Sequence, residues 1–139
     1  MKIATWNVNG IRARQAQVQD WIEAERPDVV CLQEIKASPD QLPVWLCDLE
    51  GYWCYWHGEK GYSGVGLHVS KAVSPERPDF THPVFDYENR MVQVRLPALT
   101  VISVDAASSV CNRISAGCAG RLAQHGVERR SHPPGTHPR

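Results

Sequence analysis

Asn7 and Glu34 are two residues of this sequence whose types and settings could do chemistry together. Each closes a short stretch that reads as a β-strand. Lys2–Trp6 precedes Asn7, and the apolar run Val29-Val30-Cys31-Leu32 precedes Gln33 and Glu34. An amide oxygen and a carboxylate are hard oxygen donors, the kind that Mg2+ takes. The same residues would serve equally as a turn former and a solvated strand terminus, and spacing alone does not choose between these readings.

The elements around them bear on the choice. Between the two strands, Val18, Trp21, Ile22 and Glu25 follow an i, i+3, i+4 pattern. That pattern predicts a helix over about 11–25, stopped by Pro27-Asp28. A strand–helix–strand unit with parallel strands crosses over right-handedly, so both strands point the same way. Their C-terminal ends, carrying Asn7 and Glu34, then share one sheet edge, where ligand sites of α/β sheets gather. The unbroken apolar run 29–32 predicts a strand buried on both faces. Further on, the sequence predicts a short helix within 39–49 and an aromatic-rich strand Tyr52–His57. A turn over Gly58–Gly64, a strand Val65–Ser70 and a loop over 71–84 with three prolines follow. A half-buried strand Arg90–Leu96 and a strand Leu99–Val104 complete the pattern. The spacing between 65 and 104 predicts antiparallel pairing. The run Gly61–Gly66 ends in no Gly-Lys-Ser/Thr, so it reads as a hairpin and not as a nucleotide cradle.

Composition bounds the whole. A chain of 139 residues, 42% hydrophobic and 22% charged, fits one domain with a real core. No apolar stretch approaches the length of a membrane span. Met1–Asn7 lacks the apolar run and small-residue cleavage site of a signal peptide, so the default compartment is the cytoplasm. Five cysteines without regular spacing fit reduced thiols there. The zero net charge conceals a break. All aromatic residues lie between Trp6 and Tyr87, and residues 1–104 carry a net charge of −3. Residues 105–139 carry +3, are rich in Ala, Ser, Gly, Arg and His, and lack the apolar content for a core of their own.

Three segments resemble motifs of one enzyme family. Ile3-Ala4-Thr5-Trp6-Asn7-Val8-Asn9-Gly10-Ile11-Arg12-Ala13 resembles the opening motif of the exonuclease III family of apurinic/apyrimidinic (AP) endonucleases. Pro27-Asp28-Val29-Val30-Cys31-Leu32-Gln33-Glu34-Ile35-Lys36 is similar to its second motif, and Gly61-Tyr62-Ser63-Gly64-Val65-Gly66-Leu67 to its third. The resemblance covers residues 1 to about 104. It implies the N-terminal half of a DNase I-like four-layer α/β sandwich: a mixed sheet with flanking helices. It implies Mg2+- or Mn2+-dependent hydrolysis of phosphodiester bonds in double-stranded DNA, at abasic sites and 3′ ends. Glu34 would coordinate the ion, and Asn7 would support the ion and the scissile phosphate. Asn9 stands where some members carry an acid that also touches the metal site, a weaker assignment. Arg90 matches a family arginine to which no catalytic role is carried over.

The rest of the family's machinery does not appear. After Val104 a member continues with a Tyr-x-Pro-Asn/Gln/Ser-Gly motif, whereas this chain continues Asp105-Ala106-Ala107. No Gly-Asp-x-Asn or Ser-Asp-His motif follows, so the family's base Asp, its Asn and Tyr, and its catalytic His are missing. The compositional break coincides with this loss. The expectation is a domain 1–104 followed by an unrelated, basic, disordered tail 105–139, the product of truncation or a frameshift near codon 105. Cys111, Cys118, His125 and His132 recur every seven residues, but structural zinc sites use shorter Cys spacings and the pattern reads as coincidence.

Three functions compete: a DNA-repair nuclease, a phosphoesterase of the same superfamily with a non-DNA substrate, and a catalytically inactive half-domain. In the half-domain view the inner face of the sheet lies open, which predicts self-association of the chain.

Overall fold

The structure, a computed structural model, describes residues 1–59 and 61–106. β1 (Ile3–Asn7) lies parallel to β2 (Val29–Gln33), in the register Ile3–Val29 through Asn7–Gln33. The connection between them is the expected crossover. It consists of a 3-10 turn at Ile11–Ala13 and then α1 (Gln15–Glu25), which buries Val18 and Ile22. Arg26 ends α1 in a left-handed conformation, donating its backbone N–H to the Ile22 carbonyl, and Pro27 prevents continuation. The helix predicted within 39–49 divides into a 3-10 turn at Pro39–Gln41 and a single turn α2 (Val44–Cys47). Pro43 between them lacks the N–H that would make one helix.

β3 (Tyr52–Glu59) and β4 (Tyr62–Ser70) form the aromatic-rich hairpin. β4 pairs antiparallel with both β3 and β2, giving a mixed sheet in the order β1-β2-β4-β3. The glycine-rich run of β4 is shaped by what lies over it. A Cβ at Gly66 would meet the Trp56 ring at 2.7 Å, and one at Gly64 would meet Ile35 at 2.6 Å. These two glycines therefore let Trp56 and the chain after β2 settle onto the sheet.

A second sheet stands beside the mixed one. The loop 71–84 contains a two-residue strand β5 (Phe80–Thr81). It pairs with β6 (Met91–Arg95), which pairs with β7 (Thr100–Val104), all antiparallel. β4 and the 91–104 strands are therefore antiparallel within different sheets, not neighbours in one.

Two apolar layers result. On one face of the mixed sheet, Val30 and Leu32 of β2 pack with Val18 and Ile22 of α1, Leu46, Trp56 and Ile35. On the other, Val29, Cys31, Val65, Leu67 and Val69 pack against Val92, Val94, Leu96 and Val101 of the second sheet. β2 is thus buried on both faces, as its unbroken apolar run predicts. The expectation of an open inner face is corrected here. The second sheet covers β2 and β4, because residues 80–104 contribute a layer of their own. Large apolar side chains left exposed on strands include Ile3 on β1, Tyr62 on β4 and Ile102 and Val104 on β7. Cys31, Cys47 and Cys54 are free thiols. Among the described residues no helix is long and apolar enough to cross a membrane. The expectations for residues 107–139, including the Cys/His heptad pattern, lie outside the described residues.

Candidate metal and phosphate site

The backbone carries the β1–β2 pairing past the strand ends. The Val8 N–H donates to the Gln33 carbonyl at 3.0 Å, Gly10 to Glu34 at 2.8 Å and Ile11 to Ile35 at 3.0 Å. From the far side, Ile35 and Lys36 donate to the Gly64 and Ser63 carbonyls of β4. The two loops are thus held in register like strands. Within them Asn9, Glu34 and Lys36 all have positive φ, at 44°, 51° and 50°. Such conformations are strained for residues with a Cβ and collect at functional sites.

This frame brings Asn7 and Glu34 together. The Asn7 amide Nδ2 donates to Glu34 Oε1 at 2.7 Å, and Asn7 Oδ1 accepts the Asn9 backbone N–H at 3.0 Å. A carboxylate only accepts and a backbone N–H only donates, so these two partners fix which way the amide faces. Lys36 completes the cluster. Its ammonium donates to Asn9 Oδ1 at 2.6 Å and lies 3.0 Å from Glu34 Oε2. The Asn7 amide, and after it the Lys36 ammonium, hold the Glu34 carboxyl below its usual value. It is therefore an anion at neutral pH, half-exposed at the end of β2.

Three further residues flank the second sheet's strands, Asp86 and Arg90 before β6 and Asp105 after β7. Arg90 donates from Nη2 to the Tyr62 hydroxyl at 2.9 Å, from Nε to Glu88, and from Nη1 to the Asp105 carbonyl at 3.3 Å. Asp86 aims the loop that carries it: its carboxylate accepts the Arg90 and Met91 backbone N–H groups, each at 2.8 Å, and contacts His57 Nε2 at 3.1 Å. Asp105, directly after β7, is 4% exposed. Burial pushes its carboxyl up, Arg90 draws it back, and the neighbouring Glu34 carboxylate pushes it up again. Gln33 Nε2 donates to Ser103 Oγ at 3.0 Å, tying β2 to β7 beside this point.

The sequence expectation for Asn7 and Glu34 therefore corresponds to a real juxtaposition, and Asn9 joins it through Lys36. Lys36, Asp105 and the Asp86–His57 pair were not singled out. Lys36 lies inside the second quoted motif, and Asp105 occupies the place where the family's tyrosine is expected. Among the described residues no three His, Cys, Asp or Glu side chains gather as a metal cluster. The donor set is instead carboxylate plus amide oxygens. Such hard oxygens suit a cation that keeps several waters.

Comparison with known proteins decides the lineage. Residues 4–139 match the endonuclease/exonuclease/phosphatase family. The chain belongs to that family. Within it, the chain is 36% identical over 107 residues to exodeoxyribonuclease III of Haemophilus influenzae, covering 74% of this chain and 40% of that protein. It is 32% identical over 115 residues to the DNA repair nuclease APEX1 of Danio rerio, covering 74% of this chain and 35% of that protein. Among solved structures it resembles a 3′ phosphatase from Neisseria bound to a product DNA hairpin. The TM-score is 0.63 and the identity 33%, over 75% of this chain and 40% of that one. The chain thus spans about two fifths of the length of these family members.

Proposed function

We propose that this chain carries the metal-holding half of a DNA-repair nuclease of the exodeoxyribonuclease III type. Such an enzyme hydrolyses phosphodiester bonds in double-stranded DNA at abasic sites and 3′ ends. One observation carries the reading. Glu34 is kept ionised by Asn7 and Lys36 at the sheet edge shared by β1 and β2. The Glu34 carboxylate would hold Mg2+ or Mn2+ directly. When bound, such an ion neutralises charge that builds on the phosphate and on the leaving oxygen. Asn7 orients Glu34 through Nδ2 while its Oδ1 is braced by the Asn9 N–H. Lys36 places a cation beside the carboxylate, where it would attract the phosphate backbone. The donors and the water-activating aspartate expected of the family lie in motifs this sequence lacks.

A second reading is a half-domain that binds without cleaving. It is favoured by Asp105 standing where the resemblance expects the family's tyrosine. A phosphoesterase with a non-DNA substrate shares the fold, but the DNA-directed relatives argue against it. The test is incision of an abasic-site duplex by the full chain with Mg2+. Cleavage abolished by EDTA and by Glu34→Ala supports the nuclease. Absence of cleavage from a chain with a cooperative unfolding transition supports the half-domain.

A further inference from the structure

We propose that Phe85 and Tyr87 form a stacking platform for unpaired bases of the DNA strand whose phosphate is held at the Glu34 site, an inference that rests on the nuclease reading above. The turn 83–89 that carries the two rings is inside out. Phe85 is 69% exposed and Tyr87 87%, while the Asp86 side chain between them is 4% exposed. Val84 beside them is exposed as well. Among the described residues neither ring packs on another aromatic ring. Large apolar side chains gathered in the open mark interaction sites.

The rings are held outward by the acid between them. The Asp86 carboxylate accepts the Arg90 and Met91 N–H groups, each at 2.8 Å, and contacts His57 Nε2 at 3.1 Å. The Asp86 N–H donates to the Pro83 carbonyl and the Tyr87 N–H to the Phe85 carbonyl, both at 3.0 Å. Rings on so fixed a support lose little freedom when a ligand arrives. The turn also adjoins the candidate site. Ser63 Oγ donates to the Glu88 carbonyl, and the Ser63 carbonyl accepts the Lys36 N–H at 2.9 Å. One residue thus joins the turn to the segment of Glu34 and Lys36, whose charged groups lie 3.0 Å apart.

The chemistry of the patch selects its occupant. Every base has a π-face, and proteins that hold single strands pair stacking rings with cations that track the backbone. In a duplex those faces are covered by neighbouring bases, so only unpaired nucleotides can use the platform. Glu88, next to Tyr87, is ion-paired with Arg90 Nε, which offsets its repulsion of a strand. A protein partner is the poorer fit. Three side chains on one turn fall far short of the roughly 20–30 residues a side of a specific protein interface.

The experiment uses the full chain and two labelled duplexes, one blunt and one with a 3′ oligothymidylate overhang. Binding is read by fluorescence anisotropy with Ca2+ present, and a 2-aminopurine within the overhang reports stacking by its quenching. Wild type is compared with the double variant Phe85→Ala/Tyr87→Ala, with Tyr87→Trp and with Lys36→Ala. Wild type is expected to bind the overhang about tenfold more tightly than the blunt duplex and to quench the 2-aminopurine. The double variant should lose both the preference and the quenching, and Tyr87→Trp should keep them. The salt dependence of binding should be the same in wild type and the double variant, since the rings neutralise no phosphate. Both side chains are exposed, so thermal melts of the double variant should match wild type. Equal binding of the two duplexes by wild type, or a preference and quenching that survive in the double variant, overturns the platform. Loss of self-association in the double variant, with DNA binding unchanged, overturns it in favour of a protein contact. Binding weakened by Lys36→Ala but untouched by the double variant overturns the platform alone. No binding of either duplex by wild type overturns the nuclease reading itself.

Discussion

Replacing Lys36 with methionine should tighten divalent-cation binding. The Lys36 ammonium occupies oxygens the ion would use, at 3.0 Å from Glu34 Oε2 and 2.6 Å from Asn9 Oδ1. An ion on Glu34 with the ammonium still in place would leave +2 and +1 charges roughly 4 Å apart. Their repulsion is about 8 kcal/mol at an effective dielectric constant near 20 and about 2 kcal/mol even in bulk water. The Lys36 side chain is 37% exposed, and a pair so open to solvent gains only about 0.2–1 kcal/mol. Repulsion therefore exceeds attraction over the whole range, and the ammonium must swing away when the ion arrives. Giving up the ion pair and the Asn9 hydrogen bond costs about 1 kcal/mol. Methionine keeps the aliphatic length and removes that cost, which corresponds to roughly fivefold tighter binding. The assay is Mn2+ titration of wild type, Lys36→Met and Lys36→Arg at low and high salt. Lys36→Arg, which keeps the charge, should stay near wild type. Lys36→Met binding Mn2+ no more tightly than wild type would refute the reasoning.

Two further outcomes concern stability. His68 is fully buried with both ring nitrogens unpartnered, edge-on to Trp56 at 4.6 Å between ring centroids. Burial lowers its pKa from 6.5 to about 4. As pH falls the unfolded chain takes up this proton first, so stability is full above pH 6.5 and is lost between 6.5 and 4, by about 3 kcal/mol. His68→Leu should flatten that limb in thermal melts across the range; an unchanged slope would place the acid sensitivity elsewhere. Gly66→Ala puts a Cβ at 2.7 Å from Trp56, itself buried, so overpacking should cost about 2 kcal/mol and lower Tm by several degrees. A melting point equal to that of wild type would show that Trp56 can move aside.

Some of this was legible in the sequence because it is written in local pattern. Val29–Leu32 announces a strand with two covered faces. The crossover through α1 fixes the direction of β1 and β2, and direction alone brings Asn7 and Glu34 to one edge. The glycines at 64 and 66 mark a hairpin whose function is close approach. The strands at 91–95 and 100–104 were legible, but their separation into a second sheet was not. Its outer strand is only Phe80–Thr81 inside a proline-rich loop, and its packing on β2 and β4 depends on contacts far apart in sequence. Lys36 and Asp105 were hidden for a related reason. The direction of the Lys36 side chain depends on a left-handed backbone held by Ser63. Asp105 matters because of its burial, which neighbouring sequence does not encode.

β1 lies at the rim of its sheet, joined to the rest by β2 on one side only. The same row of backbone hydrogen bonds that seats it runs on through Val8, Gly10 and Ile11 to set Asn7 and Asn9 against Glu34 and Lys36. Peeling away the first eleven residues would therefore erase the site while leaving the layer between the two sheets in place. Conversely, an ion or phosphate gripped at that edge acts as a clasp on the strand. Its occupancy should appear as slowed amide hydrogen exchange from Val8 to Ile11, well away from the apolar core.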